Sequence, residues 1–289
     1  MKNIIIISNT SSYQDINLIN SKFVSQFKRN LIFCDNVSPV SVDYFLNIFS
    51  IFNERPYVEN NALKNKLIEI LHSNKYNTQA IYSSDELGGL FEESTDSSYK
   101  YTNLQQLENS LTNIIFENKL KSTFTFIELN DEKYLHNPSM EQIEEFLYKR
   151  IDEELEDYII LYIGNVTSNR KELSIGRIPL FWVMPESYGY AHYCNELIRL
   201  TDVFTTILHL LEVQYTSTGN SLLPLFKGEA FRALPAIIDT SSIEKGVKKA
   251  LIIKNGQQEY QIMWDEIDET FKVFDLSYDP TCSTDLIKL

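Results

Sequence analysis

No hydrophobic run in this sequence is long enough to cross a membrane. At the N-terminus, the four isoleucines Ile4–Ile7 are followed at once by polar residues. The apolar core of a signal peptide needs about 7–15 residues, and a membrane-spanning helix needs about 20. We therefore expect a soluble, cytoplasmic protein with no membrane partner. The alternative is that the sequence is a soluble domain of a larger membrane protein.

Cysteine is scarce and its spacing is irregular. The three cysteines, Cys34, Cys194 and Cys282, are far apart in the sequence and form no C-x-x-C pair. An odd number of widely separated cysteines is typical of reduced thiols, and it argues against a disulfide framework. This pattern favours a reducing compartment. The sequence also lacks internal repeats and low-complexity segments, which excludes a repeat architecture.

Positive charge is also limited. The chain has 26 Lys and Arg against 40 Asp and Glu, which gives a formal net charge of −14. An acidic surface repels phosphate backbones and anionic headgroups, so we do not expect nucleic acid or a bare membrane surface as a partner. Hydrophobic residues make up 43% and charged residues 23% of the 289 residues. That balance is typical of one large globular domain with a sizeable core.

Through most of the chain, short apolar runs alternate with segments of helical periodicity. This alternation predicts an α/β fold, with a mostly parallel sheet covered by helices on both faces. Residues 84–102 are polar and rich in turn residues, and they predict a surface loop. The predicted strands are Ile4–Ile7, Asn30–Cys34, Thr78–Ser83, Thr123–Leu129, Tyr158–Ile163, Ile178–Val183 and Leu234–Ile238. The predicted helices are Leu18–Phe27, Ser38–Phe52, Asn61–Ser73, Leu104–Leu120, Ser139–Glu156 and Ile198–Leu211.

The last part of the chain has a different pattern. Three short runs, Lys249–Lys254, Glu259–Trp264 and Lys272–Leu276, are separated by turns. The first of these turns contains Asn255 and Gly256, a pair that is typical of tight hairpins. We therefore predict a C-terminal antiparallel meander over residues 246–289, packed on an α/β core that spans residues 1–245.

Six segments, in chain order, resemble motifs of one enzyme superfamily. The most specific is KVFDLSYDPTCSTDL (Lys272–Leu286), which is similar to the sulfatase ending ELYDLxxDPxExxNL. NSLLPLFKGE (Asn220–Glu229) resembles SLLPLLxGE, and the stretch Ile198–Val213 resembles the segment in which a His-Asp pair opens a helix. The other three segments are Asn36–Ser50, Leu71–Ser83 and Phe146–Leu155. In order and spacing, the chain resembles the alkaline phosphatase–sulfatase superfamily, and within it the sulfatases and phosphoethanolamine transferases.

The resemblance implies metal-assisted cleavage of phosphate or sulfate esters. In this superfamily a nucleophile at a helix N-terminus attacks phosphorus or sulfur, and a divalent metal activates it. Ser41 occupies the nucleophile position here. Sulfatases convert a Cys or Ser in the context C/S-x-P-x-R to formylglycine. Ser41 is followed by Val42, Asp43 and Tyr44, so that conversion is not indicated.

Most of the positions that carry metal ligands in the superfamily are replaced in this chain, although Asp202 keeps the Asp of the family's His-Asp pair. The positions that match the family's ligand segments are Ser8, Asn9 and Thr10 after the first strand, Asn165 and Val166 after the strand 158–163, and Thr201 and Asp202 before the helix 198–211. Replacing two or three anionic ligands removes most of the Coulomb attraction that holds a divalent cation. The resemblance therefore predicts no cofactor, or Zn or Mn if the site is active with unconventional ligands.

Each of these residues also has a purely structural interpretation. Ser41 could be the N-cap of the helix that follows it. Asn9 and Asn165 could close strand-to-helix turns, and Asp202 could be a charge that stabilises a helix N-terminus. The loops 8–12 and 164–169 are rich in hydroxyls and amides. If they converge, they form a neutral pocket for a small anionic or sugar ligand.

Three hypotheses follow for the function. The first is a protein that lacks the superfamily's metal chemistry and binds a ligand or a protein partner through the old site, at Asn9, Thr10, Asn165, Thr201 and Asp202. The second is a phosphotransferase or an ester hydrolase that uses Ser41 as its nucleophile. The third is an assembly module that pairs with an active homologue.

Overall fold

The structure is a computed structural model. It describes residues 3–12, 27, 29–41, 43–54, 65–117, 122–130, 157–165, 176–185, 188, 192–239, 247–265 and 269–288. Within these ranges the strands form a central eight-stranded sheet, a four-stranded antiparallel sheet and a two-stranded pair. The α/β class and the C-terminal antiparallel meander are both as the sequence predicts.

The central sheet consists of β1 (Asn3–Ser12), β2 (Leu31–Cys34), β4 (Asn77–Tyr82), β5 (Ser97–Lys100), β6 (Thr123–Leu129), β7 (Tyr158–Asn165), β8 (Leu180–Val183) and β9 (His192–Cys194). Their order across the sheet is β5-β4-β6-β1-β7-β8-β2-β9. β8 runs antiparallel to both of its neighbours, and every other pair in this sheet is parallel. Because β8 is the one reversed strand, β1, β2, β6, β7 and β9 all end at the same edge.

The four isoleucines of β1 explain why this strand lies at the centre of the sheet. Ile4 and Ile6 belong to one hydrophobic cluster, whereas Ile5 and Ile7 belong to a second cluster on the opposite face. Successive side chains of a strand point to opposite faces, so a continuous apolar run requires cover on both sides. This arrangement matches the predicted two-faced sheet.

Six helices lie in the described chain: α1 (Tyr44–Asn53), α2 (Lys66–Ser73), α3 (Asp85–Phe91), α4 (Leu104–Glu117), α5 (Leu200–Leu210) and α6 (Leu223–Phe226). Side-chain oxygens cap three of them by accepting a backbone N–H of the first turn. These caps are Asp43 on α1, Asn65 on α2 and Ser84 on α3. No described helix is both long enough and apolar enough to span a bilayer.

The small sheet consists of β11 (Ala236–Asp239), β12 (Val247–Asn255), β13 (Gln258–Asp265) and β14 (Thr270–Asp275), paired antiparallel in chain order. The turn at Gly256 has a positive φ of 63°, which glycine adopts without strain. β11 corresponds to the strand predicted at Leu234–Ile238. The prediction placed that strand in the parallel core, but it pairs with β12. Its burial alternates, which is typical of an antiparallel sheet with one exposed face.

Two predictions of loop structure are wrong. Residues 84–102 contain helix α3 and edge strand β5 rather than a loop, because Leu87, Leu90 and Phe91 give α3 a buried face. The polar residues Ser8–Ser12 continue strand β1, although the register with β7 shifts between Ser8 and Ser12. Backbone pairing with β7 holds these residues extended despite their polarity.

Other boundaries differ by a few residues. The segment Ser38–Phe52 was predicted to begin with a Pro-containing turn and continue as a helix, and the helix begins at Tyr44. Val37–Ser38 forms the short strand β3, which was not predicted and pairs with β10 (Ile198–Arg199). The strand β9 was not predicted. The predicted helices Leu18–Phe27 and Ser139–Glu156 lie outside the described residues, apart from Phe27. All three cysteines are buried free thiols.

Candidate ligand site at the carboxyl edge of the central sheet

The carboxyl ends of β1, β6 and β7 lie side by side and bring the predicted Ser8 next to a polar residue that was not predicted, Glu128. Ser8 of β1 lies opposite Glu128 of β6 on one side and Ile163 of β7 on the other. Open α/β sheets place their ligand sites at this edge. The superfamily resemblance places metal ligands at the ends of β1 and β7, at Ser8, Asn9 and Thr10 and at Asn165 and Val166.

Ser8 is fully buried and joins the strand end to helix α1. The Tyr44 hydroxyl in the first turn of α1 donates a 2.8 Å hydrogen bond to Ser8 Oγ. Burial, reinforced by the negative charge of Glu128, raises the pKa of Tyr44 well above its usual value. Tyr44 is therefore a neutral hydrogen-bond donor at pH 7, and Ser8 Oγ accepts its hydrogen bond.

Asn9, Thr10 and Asn165 converge as the sequence predicts. Asn9 is buried, and its side-chain amide donates a 2.8 Å hydrogen bond to the Tyr162 hydroxyl of β7. The Asn165 amide donates a 3.1 Å hydrogen bond to the Thr10 carbonyl. These bonds join two neighbouring strands directly. Asn9 lies inside β1 and does not close a strand-to-helix turn, whereas Val166 and the rest of the loop that follows Asn165 lie outside the described residues.

Glu128 is a buried carboxylate at this edge that the sequence analysis did not select. One of its oxygens, Oε2, accepts hydrogen bonds from Ser83 N at 2.5 Å, Ser83 Oγ at 3.0 Å and Ser84 N at 3.1 Å. These donors lie at the start of α3, so the carboxylate anchors that helix to β6. The available signal was a lone acid inside the otherwise uncharged strand TFTFIEL, since a fully buried acid needs partners.

Ser41 lies outside helix α1 and is not its N-cap, which is Asp43. Ser41 is buried, and its hydroxyl accepts a 3.2 Å hydrogen bond from the backbone N–H of Asp43. The Asn47 side chain holds the Ser41 backbone on both sides, accepting from its N–H and donating to its carbonyl. Ser41 also forms an isolated bridge with Asp239 of the small sheet. The predicted capping role is therefore wrong, because the helix begins two residues later than that role requires.

Thr201 and Asp202 lie in the first turn of α5, where Asp202 is buried. Asp202 forms an ion pair with Arg199, with Oδ1 2.6 Å from Nη2, and its other oxygen accepts the Arg199 backbone N–H at 3.0 Å. Asp202 Oδ1 also accepts the Asn220 N–H at 2.8 Å. The helix-terminal interpretation of Asp202 is confirmed, and the described hydrogen bonds of Asp202 link α5 to the following loop.

The described donor groups do not match a divalent-metal centre. Apart from Glu128, whose Oε2 accepts hydrogen bonds from Ser83 and Ser84, the polar side chains described at these strand ends are hydroxyls and amides. The superfamily resemblance implies carboxylate and imidazole ligands for a divalent cation. Within the described ranges, no group of three or more His, Cys, Asp or Glu side chains is arranged to hold a metal. His72 contacts Thr78 and Asp96, and His209 contacts Ser221. Whether the protein binds a cofactor is not decided by these contacts, and the absence of one stays a prediction.

No protein-family model and no curated protein sequence matches the chain. Solved structures do match it. A protein in complex with its substrate D-glucosamine-2-N,6-O-disulfate superposes with a TM-score of 0.77 at 12% identity, covering 99% of this chain and 93% of that one. A sulfatase from Pseudoalteromonas gives 0.69 at 12% identity, covering 99% and 86%. The phosphonate monoester hydrolase of Agrobacterium radiobacter gives 0.67 at 10% identity, covering 100% and 92%.

These similarities extend over the whole chain and over most of each matched protein. They cover both the central sheet and the small C-terminal sheet, so the two sheets together match one known architecture. The ordered sequence motifs also predict this architecture. The identities of 10–12% are too low to transfer a substrate or a mechanism. The chain therefore has the fold of the alkaline phosphatase–sulfatase superfamily.

Proposed function

We propose that this protein is a sulfatase-like pseudoenzyme, which binds a ligand or a protein partner without metal-dependent ester chemistry. This proposal rests on the hydrogen bonds that the polar groups at the strand ends make with other parts of the protein. Ser8 accepts from Tyr44, Asn9 donates to Tyr162, and Asn165 donates to the Thr10 carbonyl. Neutral hydroxyls and amides held in such internal hydrogen bonds do not supply the negative charge that a divalent cation requires.

The environment of Ser41 supports the same proposal. A serine hydroxyl is a weak nucleophile unless a neighbouring base or a metal lowers its pKa. The described contact of the Ser41 hydroxyl is the backbone N–H of Asp43, which donates to it and cannot remove its proton. His72 and His209 make their described hydrogen bonds elsewhere, with Thr78 and Ser221. Ser41 accordingly serves to hold the segment before α1.

The chemistry of the strand ends indicates which ligands to test first. Hydroxyls and amides recognise polar, hydrogen-bonding molecules, so a small anionic ligand or a sugar is the first class. One matched structure binds D-glucosamine-2-N,6-O-disulfate, which makes that compound a suitable probe. A protein partner is the second class.

Turnover assays test the proposal. The purified protein is incubated with 4-nitrophenyl sulfate, 4-nitrophenyl phosphate and a phenyl phosphonate ester, with and without added zinc or manganese. We expect rates equal to those of the Ser41→Ala variant under every condition. Ser38→Ala, which changes a neighbouring buried serine, is the matched control. Metal-dependent turnover that Ser41→Ala abolishes and Ser38→Ala retains would instead establish an ester hydrolase or transferase with Ser41 as nucleophile.

A further inference from the structure

A polar cleft lies between the central sheet and the small sheet. Its wall includes Asp35 and Asn36, which follow β2, and Arg177, which precedes β8. The β12–β13 hairpin, including Lys254 and Glu259, forms the facing wall. β2 ends at the same edge as β1, so the cleft opens at the carboxyl edge, on the β2 side of the strand-end site. Its volume of about 810 Å³ is in the range of small-molecule sites.

The charges in this cleft nearly balance. Arg177 forms an ion pair with Glu259, and Lys254 lies 3.6 Å from Glu196. Asp35 is a third carboxylate, beside Glu259 and Glu196, so the cleft holds three acidic and two basic side chains. Burial lowers the pKa of Arg177 to about 10, so its guanidinium stays charged at pH 7. With both cations already paired, the cleft attracts an anion weakly, and its described acids do not form a metal cluster.

Three polar atoms around the cleft are shielded from solvent and have no hydrogen-bond partner. They are Asp35 Oδ1, Asn36 Oδ1 and Arg177 Nη1, for which the described residues supply no partner. Buried polar atoms are nearly always paired. Three orphaned atoms in one cleft therefore indicate that something other than the protein completes their hydrogen bonds.

Each of the three side chains is held by its other polar atoms. Asp35 accepts a hydrogen bond from Tyr193, the Asn36 amide donates to Glu259 at 2.7 Å, and Arg177 Nη2 bonds Glu259. The remaining atoms offer two acceptors and one donor. The last torsions of Asp and Asn are broad, so a small rotation that keeps their existing hydrogen bonds can bring Asp35 Oδ1 and Asn36 Oδ1 toward a ligand.

The combination of two free acceptors and one free donor selects a chemical class. A hydroxyl group both donates and accepts, so neighbouring hydroxyls can pair with Asp35, Asn36 and Arg177 together. A sulfate or phosphate has acceptors but no donors, and it would face three carboxylates. An ammonium group has donors but no acceptor for Arg177. Tyr193, with 58% of its surface exposed, adds an aromatic ring beside Asp35.

We propose that this cleft binds an uncharged polyhydroxy ligand, a sugar or a polyol, through Asp35, Asn36 and Arg177. The site is separate from the strand-end positions Asn9, Thr10 and Asn165. The inference does not depend on whether those positions are catalytic, since it concerns binding and not turnover.

Saturation-transfer NMR on the full chain tests this site. The probes are D-glucose, D-galactose, D-mannose, N-acetyl-D-glucosamine and myo-inositol at millimolar concentration, with D-glucosamine 6-sulfate as the charged comparison. We expect at least one uncharged probe to bind. We expect Asp35→Asn, which replaces one acceptor oxygen with a donor, to weaken that binding at least about tenfold. Asp85→Asn makes the same chemical change at an exposed site beside β5, far from the cleft, and should leave binding unchanged.

A second variant separates lost binding from lost folding. Gln257→Ala changes an exposed residue of the cleft wall and should reduce affinity while leaving the circular dichroism spectrum and the unfolding midpoint unchanged. The proposal is overturned if no uncharged probe binds, if the sulfated probe binds better than its neutral counterparts, or if Asp35→Asn and Asp85→Asn have equal effects. Each of these outcomes is independent of the ester turnover assay.

Discussion

A single carboxylate oxygen links the end of strand β6 to the start of helix α3. Glu128 Oε2 accepts the backbone N–H groups of Ser83 and Ser84, together with the Ser83 hydroxyl. Both N–H groups precede helix α3, where a negative charge is favoured by the helix dipole. The side chain of Glu128 is almost completely buried. Its role is therefore to replace water for donors that would otherwise be unpaired.

If Glu128 pairs these donors, the loss of stability should depend on how many acceptor oxygens a substitution removes. Glu128→Ala removes the acceptor for three donors, and we expect it to lower the free energy of unfolding by about 2–4 kcal/mol. Glu128→Gln keeps one acceptor oxygen and loses only the charge, so we expect a smaller loss of about 1 kcal/mol. Urea unfolding measures both. Glu93→Ala, at an exposed glutamate, should stay within about 0.5 kcal/mol of the parent protein. Equal losses for the Gln and Ala variants would contradict this role.

Some site residues could be predicted from the sequence and others could not. Asn9, Thr10 and Asn165 were selected because they match the ligand positions of the resembled superfamily, and their convergence follows from the shared carboxyl edge of parallel strands. Tyr44 and Tyr162 were missed, since a tyrosine in an apolar run packs as a hydrophobic residue whatever its hydroxyl contacts. Ser41 was assigned a capping role because only the three-dimensional start of α1 identifies its cap.

At the scale of elements, Glu54 connects two helices that are far apart in the chain. It is the C-cap of α1, and its carboxylate accepts hydrogen bonds from Ser217, Thr218 and Gly219 in the loop after α5. Lys66 at the start of α2 lies 3.5 Å from the same carboxylate. Burial alone would raise the pKa of Glu54, but the hydrogen bonds from the loop outweigh it and lower the pKa.

A lowered pKa in the folded state makes this contact dependent on pH. The stabilisation is fully present above the ordinary glutamate pKa and is lost as the pH falls through the lower pKa of the folded state. We expect Glu54→Gln to lower the free energy of unfolding at pH 7, and the gap to the parent protein to narrow below about pH 4. Urea unfolding across this pH range measures the gap. Glu229→Gln at an exposed position is the control, and a gap that does not change with pH would refute the assignment.

The elements differ in how well the sequence predicts them. Long apolar runs such as β6 and β7 were located within two residues, because a strand buried on both faces has few polar interruptions. Helix α3 and strand β5 were missed, since a seven-residue helix rich in turn residues has a weak periodic signal. The strand β11 was found but assigned to the wrong sheet. Its pairing with β12 depends on contacts that local sequence does not encode.

At the scale of the molecule, ordered motifs predicted the fold better than composition did. The segment Lys272–Leu286 and the helix at Leu200–Leu210 occur in the order and spacing of the superfamily, and the superpositions confirm the architecture. Function is less accessible, because one fold carries many chemistries and the site residues decide among them. Here those residues depart from the superfamily pattern at several positions at once.

Metal content tests the central claim most directly. The 289-residue chain is incubated with excess zinc or manganese, passed through a desalting column and analysed by inductively coupled plasma mass spectrometry. The proposal that the strand ends of β1 and β7 do not hold a metal predicts well below one metal ion per chain. One retained ion per chain, together with ester turnover that Ser41→Ala abolishes, would contradict it.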